Sequence, residues 1–293
     1  MSRSTSLGGV FTPNGTGLAL NRIGYGAMQL TGPMAFGEPK NREAALAVVR
    51  EAVRLGINHI DTSDYYGPHA ANQIIREAIH RYPEDLVIVT KIGARRGPDK
   101  SWPAALSRKE LGSAVEDNLR NLGLEALDIV NLRVGGHLGP DEKSIAEPLE
   151  ALAELQSKGL VRHIGLSNIS PRQFAEAQGL VKIVCVQNHY NLAHRRDDQF
   201  INTLAAQGIA YVPFFPLGGF RPLQSPLLDE AAASLGATTR QVALAWLLQR
   251  SANILIIAGT SSVAHLHDNL KAASLVLPPD IVAKLDQISA FAA

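Results

Sequence analysis

One cysteine, Cys185, stands among 293 residues, so an intramolecular disulfide and a multi-cysteine metal site are both excluded, and no metal is expected. A reducing, cytoplasmic setting fits that scarcity. Long apolar runs are missing as well: none approaches the roughly 18 residues that a membrane span needs, and Met1–Val10 lacks the apolar core of a secretory leader. No membrane association is expected. Nor does either sign of charge dominate, since 28 Lys+Arg against 27 Asp+Glu leaves a formal charge of +1. That balance argues against nucleic acid as a partner, which would need a basic stripe. No low-complexity tract, charge block or Pro/Gly-rich linker divides the chain, so residues 1–293 read as a single domain, monomeric or in a small homo-oligomer.

What is present is an ordinary globular composition, 46% apolar and 19% charged, arranged with a clear period. Eight short β-branched runs alternate with amphipathic stretches: Arg22–Met28, His59–Ser63, Val87–Lys91, Asp128–Val134, His163–Asn168, Val184–Asn188, Ala210–Phe215 and Ile254–Gly259. Between them lie helical patterns such as Arg42–Leu55, Arg108–Leu122, Ala146–Lys158 and Thr239–Gln249. Ser107 with Glu110 reads as a capping box, and Gly56, Gly123, Gly159 and Gly208 fall where helices should end. Eight strand-and-helix units predict an α/β fold, a single (β/α)8 barrel, with a doubly wound open sheet as the alternative. Ser6–Asn21 reads as a hairpin around a Pro13–Gly17 turn that caps the barrel bottom, and Pro278–Ala290 as a C-terminal helix. Gly93–Pro103 and Gly135–Lys143 read as loops on the catalytic face.

In such a barrel the chemistry belongs at the C-terminal ends of strands. The second run ends in Asp61, with Tyr66 five residues later, and the third ends in Lys91. A lysine closing a buried strand is costly without a counter-charge, and Asp61 on the next strand is the candidate. Two readings fit: a structural ion pair at the barrel mouth, or a catalytic set in which a cation beside Tyr66 lowers its phenol pKa and makes it a proton donor.

The same residues carry a family resemblance. Ile60–Gly67 (IDTSDYYG) resembles the aldo-keto reductase motif with its Asp and catalytic Tyr, and Val89–Lys91 resembles the motif bearing the catalytic Lys. Gly165–Asn168, Val186–Asn191, Phe214–Gly218, and Ile257–Ser262 with Asp268–Leu270 are similar to further segments of that family, in the family's order. The resemblance implies hydride transfer between NADPH (NADP+) and a small carbonyl substrate, with Tyr66 as general acid and Lys91 and Asp61 as its partners. No GxGxxG unit interrupts the barrel, in keeping with this. It further implies that Ser167, Asn168 and Gln187 hold the nicotinamide carboxamide and that Phe214 stacks on the ring. Gly26, Ala27 and Met28 line the cofactor groove with Asp61. Phe215, Pro216, Leu217 and Gly218 border the pyrophosphate, and Gly259, Thr260, Ser261, Ser262, His265, Asp268 and Asn269 the adenosine end.

The pattern also breaks. The family's carbonyl-polarising His ends the fourth strand, and that place falls here on Gly136, with His137 one residue later. Asn131 and Arg133 interrupt what should be a continuous apolar strand. Arg133 reads either as a substrate-facing cation or as a structural Arg paired in the barrel wall. The Asn131-Leu132-Arg133 variant resembles a bacterial subgroup of pyridoxal reductases, which implies pyridoxal as a substrate. Many relatives bind the 2′-phosphate with an Arg where Ser261 and Ser262 stand; hydroxyls, helix N-terminal amides and His265 could serve instead. Two other readings remain open at this point: a Schiff-base lyase using Lys91, and a cofactor-binding sensor or interaction subunit with little turnover.

Overall fold

The computed structural model describes residues 7–136, 139–220 and 222–288. Seven parallel strands follow one another in one curled sheet: β3 (Tyr25–Gly26), β4 (His59–Asp61), β5 (Val87–Ile92), β6 (Leu127–Arg133), β7 (Val161–Ser167), β8 (Ile183–His189) and β9 (Ala210–Phe214). The eighth predicted run closes the barrel through single bridges, Tyr211 to Ile254 on one side, Ile23 to Ile256 and Gly26 to Gly259 on the other. Its backbone is bonded both ways, Leu255 N to Tyr211 O at 2.9 Å and Ile256 N to Arg22 O at 2.8 Å. Closure disposes of the open-sheet alternative. The first predicted strand is shortened to Tyr25–Gly26 because Ala27–Leu30 coils into a 3-10 turn, and the second stops at Asp61 because Thr62 and Ser63 turn their hydroxyls to side-chain and backbone acceptors.

Ten helices wrap the sheet: α1 (Arg42–Arg54), α2 (Ala70–Ile79), α3 (Arg108–Leu122), α4 (Ala146–Ser157), α5 (Pro171–Gln178), α6 (Asp198–Ala206), α7 (Pro226–Ser234), α8 (Thr239–Arg250), α9 (Val263–Leu270) and α10 (Pro279–Leu285). The capping box of Ser107 and Glu110 opens α3, and the four glycines expected at helix ends all adopt positive φ, which costs a glycine nothing. The C-terminal helix is shorter than predicted; Ala290 lies outside the described residues. Among the described residues no helix is long and apolar enough to cross a membrane.

Strand alternation divides the apolar residues into two cores. Outward residues such as Ile88, Val130, Leu132, Ile164 and Tyr211 meet the helices, whereas Val87, Val89, Ile129, Cys185, Val212, Leu255 and Ile257 fill the barrel. The predicted hairpin, β1 (Val10–Phe11) antiparallel to β2 (Leu20–Asn21), sends Leu20 into that inner core, with Phe11 and Leu18 packed on it. The inward set changes character along each strand. Below it is apolar apart from the buried His59, and at the C-terminal ends it becomes Asp61, Lys91, Arg133, Ser167, Gln187 and Phe214. Asn131 and Arg133, odd in a buried parallel strand, both lie on this inward parity.

Arg22 fastens the seam. Its guanidinium donates to the carbonyls of Gly8, Leu248, Ser251 and Ile254 at 2.6–3.2 Å, tying hairpin, first strand, α8 and the closing segment together. Arg22→Met should therefore lower stability by about 2–4 kcal/mol, several hydrogen bonds from one charged group. Thermal denaturation measures it, and a loss under about 0.5 kcal/mol would show that strand pairing alone holds the seam.

Candidate active site

Asp61 at the end of β4 and Lys91 in β5 form an ion pair of 2.6 Å, each about 4% exposed. Lys91 Nζ also donates to Thr62 O at 2.9 Å, and Gln187 Nε2 donates to Asp61 Oδ2 at 2.8 Å, so each carboxylate oxygen has its own donor. Ser63 Oγ donates to Lys91 O at 3.0 Å. With the ammonium held this way, Lys91 has no free lone pair for Schiff-base attack, and the lyase reading loses its nucleophile.

Tyr66 lies beside the pair, its ring centroid 5.1 Å from Lys91 Nζ. Tyr65 and Trp102 meet it edge-on, at 5.4 and 6.3 Å between centroids. The expected lowering of its pKa does not occur. Burial pushes the phenol well above its ordinary range, Asp61 adds to the rise, and Arg133 pulls against it. The reason is burial: withdrawing the phenol from water disfavours its ionised form, and the Asp61 carboxylate nearby disfavours it further. Tyr66 is thus a firmly protonated hydroxyl, the state a proton donor requires.

Behind the catalytic strands runs a network that the sequence reading missed. Thr62 Oγ1 donates to Asn72 Oδ1 at 2.8 Å, Asn72 Nδ2 to Asn118 Oδ1 at 2.9 Å, and Thr90 Oγ1 to the same Asn118 oxygen at 2.5 Å. Asn72 and Asn121 also donate to Asp64, whose other oxygen pairs with His69 at 2.6 Å. The neighbours of Asp61 and Lys91 are thereby pinned from outside the barrel. A signal existed: Asn118 occupies the apolar stripe of α3 with Leu111, Val115 and Leu122, a place for a polar residue only if it is bonded.

A cleft of about 590 Å³ opens over these groups. It collects Gly26, Met28, Asp61, Tyr66, Lys91, Gln187, Phe214, Phe215, Pro216, Leu217, Gly259 and Ser261 from the expected set, and adds Arg133 and Trp102. Ser167 is fully buried at the end of β7, in register with Arg133 and Gln187. Asn168, at φ 61°, donates to the carbonyls of Val134, Gly136 and Gly139 at 2.9–3.1 Å, so its amide nitrogen anchors the loop after β6. Ala27 is buried, and Gly218 turns back to bond Phe215 O at 3.0 Å. Thr260 accepts from Ser262 N, and Ser262 caps α9 through His265 N at 3.4 Å, with the His265 side chain exposed. Asp268 accepts from Gln241 and Thr238 and so ties α9 to α8. Two buried oxygens, Gln187 Oε1 and Asn269 Oδ1, have no partner among the described residues and fit a ligand that brings N–H donors.

Gly136 lies beyond the end of β6, lines the cleft without a side chain, and leaves Arg133 as the last residue of the strand; His137 lies outside the described residues. Arg133 is not a wall residue paired with an acid. Its Nη1 reaches Ser167 Oγ at 3.5 Å and its guanidinium lies 5.4 Å over Phe214. Arg96, also missed, stacks on Trp102 at 3.8 Å, faces Phe36 at 5.3 Å and donates to Met34 O at 2.9 Å, clamping the loops after β3 and β5.

A sequence profile described as the Aldo/keto reductase family matches residues 22–290. Pyridoxine 4-dehydrogenase of Escherichia coli (strain K12) is 64% identical over 274 residues, 92% of this chain and 96% of that protein. The crystal structure of a thermostable aldo-keto reductase in complex with the inhibitor epalrestat superposes with a TM-score of 0.81 at 30% identity, over 95% of this chain and 99% of the other. The glycerol dehydrogenase of Gluconobacter oxydans shares the fold with a TM-score of 0.82 at 20% identity, over 97% and 96% of the two chains.

The buried pair gives a stability test. Asp61→Ala strands an ammonium in the barrel mouth and should cost about 3–5 kcal/mol, whereas the double variant Asp61→Leu/Lys91→Met should recover most of that loss. Denaturant unfolding of the three proteins measures it. Equal losses in single and double variants would show that packing, not charge, dominates.

Proposed function

The chain belongs to the aldo/keto reductase family and is an oxidoreductase of carbonyl and CH–OH groups, and on that footing we propose that it reduces pyridoxal-like aldehydes with NADPH, Tyr66 acting as the general acid. One observation carries the reading: the Tyr66 phenol beside the Lys91–Asp61–Gln187 chain, in a cleft with aromatic walls. The 64% identity to a pyridoxine 4-dehydrogenase supports the substrate class.

When bound, the nicotinamide supplies hydride to the carbonyl carbon. Tyr66 gives its hydroxyl proton to the carbonyl oxygen, so that C=O becomes CH–OH. Lys91 holds the dipoles around Tyr66 in place and Asp61 fixes Lys91, which lets the phenol and its developing charge meet a preorganised field. Gln187 offers its free Oε1 to the carboxamide N–H, Ser167 its hydroxyl, and Asn168 the oxygen that its loop contacts leave over. Phe214, backed by the stacked His189 ring at 5.5 Å, lines the cleft where the nicotinamide ring would lie. Phe215 through Gly218 border the pyrophosphate. Ser261, Ser262 and His265 sit at the N-terminal end of α9, where amides and hydroxyls suit a 2′-phosphate, and Asn269 Oδ1 suits an adenine amine.

The sensor reading is not favoured, because the acid, its supports and the cleft are assembled together. Purified protein with NADPH should reduce pyridoxal, followed by loss of reduced-nicotinamide absorbance, with NADH markedly poorer. Bound NADPH without turnover of any aldehyde would restore the sensor reading. Tyr66→Phe should lower kcat about 10²–10⁴-fold with cofactor affinity little changed; an undiminished kcat would remove Tyr66 as the acid.

The raised phenol pKa fixes the pH response. The proton donor stays loaded across the neutral range, so the reduction rate should be flat from about pH 6 to about pH 9 and fall only above it. Alcohol oxidation needs the proton acceptor and should climb with pH over the same interval. A reduction rate that falls through neutrality would assign the proton to another group.

A further inference from the structure

Arg133 is a cation on the barrel wall of the cleft that has no ion pair among the described residues. Among the described residues no carboxylate lies within ion-pair distance of it, whereas Lys91, one strand away, is held by Asp61 at 2.6 Å. Among the described residues the contacts of its guanidinium are Ser167 Oγ, at a long 3.5 Å, and the Phe214 ring, which leaves most of its five N–H donors without an acceptor there. A half-buried charge without a partner lowers stability, and a place is kept for it where a ligand completes the pair.

Its position specifies the ligand. Arg133 projects from the inward face of β6 into the cleft that holds Tyr66. Its charge is felt at the hydroxyls of both Tyr65 and Tyr66, which it pulls down against the effect of burial. Tyr66 and Arg133 line one cleft, so a substrate whose carbonyl oxygen met Tyr66 would bring a neighbouring anionic oxygen within the field of the guanidinium. The walls around that point are the rings of Tyr65, Tyr66, Trp102 and Phe214, which suit a flat aromatic substrate.

We propose that Arg133 is a specificity-determining residue that binds an ionised hydroxyl ortho to the reacting carbonyl, so that the enzyme selects 2-hydroxyaryl aldehydes over aryl aldehydes lacking that group. The inference rests on the carbonyl-reductase reading and adds the substrate feature that the site recognises. Arg133 has a chemical consequence as well. An ortho phenolate feeds electron density into the carbonyl and blunts its reaction with hydride. Pairing that oxygen with a guanidinium draws the charge away and keeps the carbonyl carbon electrophilic. Pyridoxal carries this arrangement, a ring hydroxyl beside its aldehyde.

The test compares kcat/KM for NADPH-dependent reduction of 2-hydroxybenzaldehyde, 4-hydroxybenzaldehyde and 2-methoxybenzaldehyde, at a pH where both phenols are ionised. The para isomer keeps the charge in the wrong place, and the methoxy compound keeps the bulk without the charge. Wild type should favour the 2-hydroxy compound on the order of ten- to a hundredfold over both, the size of one charge-assisted hydrogen bond. Arg133→Met should bring the ratio close to one and Arg133→Lys should restore part of it, whatever the absolute rates, with NADPH binding used to show that each variant has folded. A wild-type ratio near one overturns the proposal without need of any variant, as does a preference that survives Arg133→Met. If wild type binds NADPH and reduces none of the aldehydes, the reductase reading fails and takes this one with it; turnover without ortho preference removes this one alone.

Discussion

Everything at the mouth of this barrel is arranged around one costly act, the burial of an ammonium and a carboxylate side by side. Removing Lys91 and Asp61 from water costs several kcal/mol per ion, and their attraction offsets that only when the remaining donors and acceptors are filled. Gln187 from β8 and the carbonyl of Thr62 fill them. This requires β4, β5 and β8 to end at one level. Strand register, barrel closure and the network of Asn72 and Asn118 behind Thr62 and Thr90 all hold that level. A barrel that slipped by one residue on β5 would turn Lys91 toward the helices and Thr90 into the cleft, since side chains alternate faces.

The pair also explains the division of labour between the two cations that the strands bring to the cleft. Because Lys91 is balanced by Asp61, it contributes order more than field, and Tyr66 keeps its proton under the influence of burial. Arg133 contributes field, since no acid answers it among the described residues. A proton donor needs a fixed position and a retained proton; recognition of an anion needs open charge. On the proposed reading, neighbouring strands of the same sheet supply both.

Much of this was legible in the sequence, for physical reasons. Two-residue alternation and the polar residues closing the apolar runs located the inner wall, and the pairing of Lys91 with Asp61 followed from the cost of a lysine in a buried strand, whereas Tyr66 came from the family resemblance. Asn131 and Arg133 looked anomalous only while the fourth strand was treated as buried on two equivalent faces; on a barrel they belong to the inward face, whose upper part is polar. What escaped needed three dimensions. The shift on Tyr66 depends on burial, and a motif reports proximity to Lys91 but not the effect of Asp61. The amide of Asn168 serves the loop after β6, a fact set by its positive φ. Asn118 lay in plain view on an apolar helix face, yet its partners come from a strand and another helix.

The loops complete the argument about specificity. Chemistry rests on strand ends, whose positions closure makes nearly immovable. The outer wall rests on Arg96, sandwiched between Phe36 and Trp102 and bonded to the Met34 carbonyl, so two loops from different βα units are held together by one side chain. Trp102 in turn touches both Tyr65 and Tyr66. The shape of the cleft is therefore coupled to Tyr66 through edge-to-face rings, while Arg133 adds charge from the barrel wall. On the proposed reading, a change in those loops bears on the shape of the cleft and on Tyr66 together, whereas a change at Arg133 bears on the charge of the cleft. A site built this way can vary its substrates along two physical axes while the ion pair beneath stays fixed.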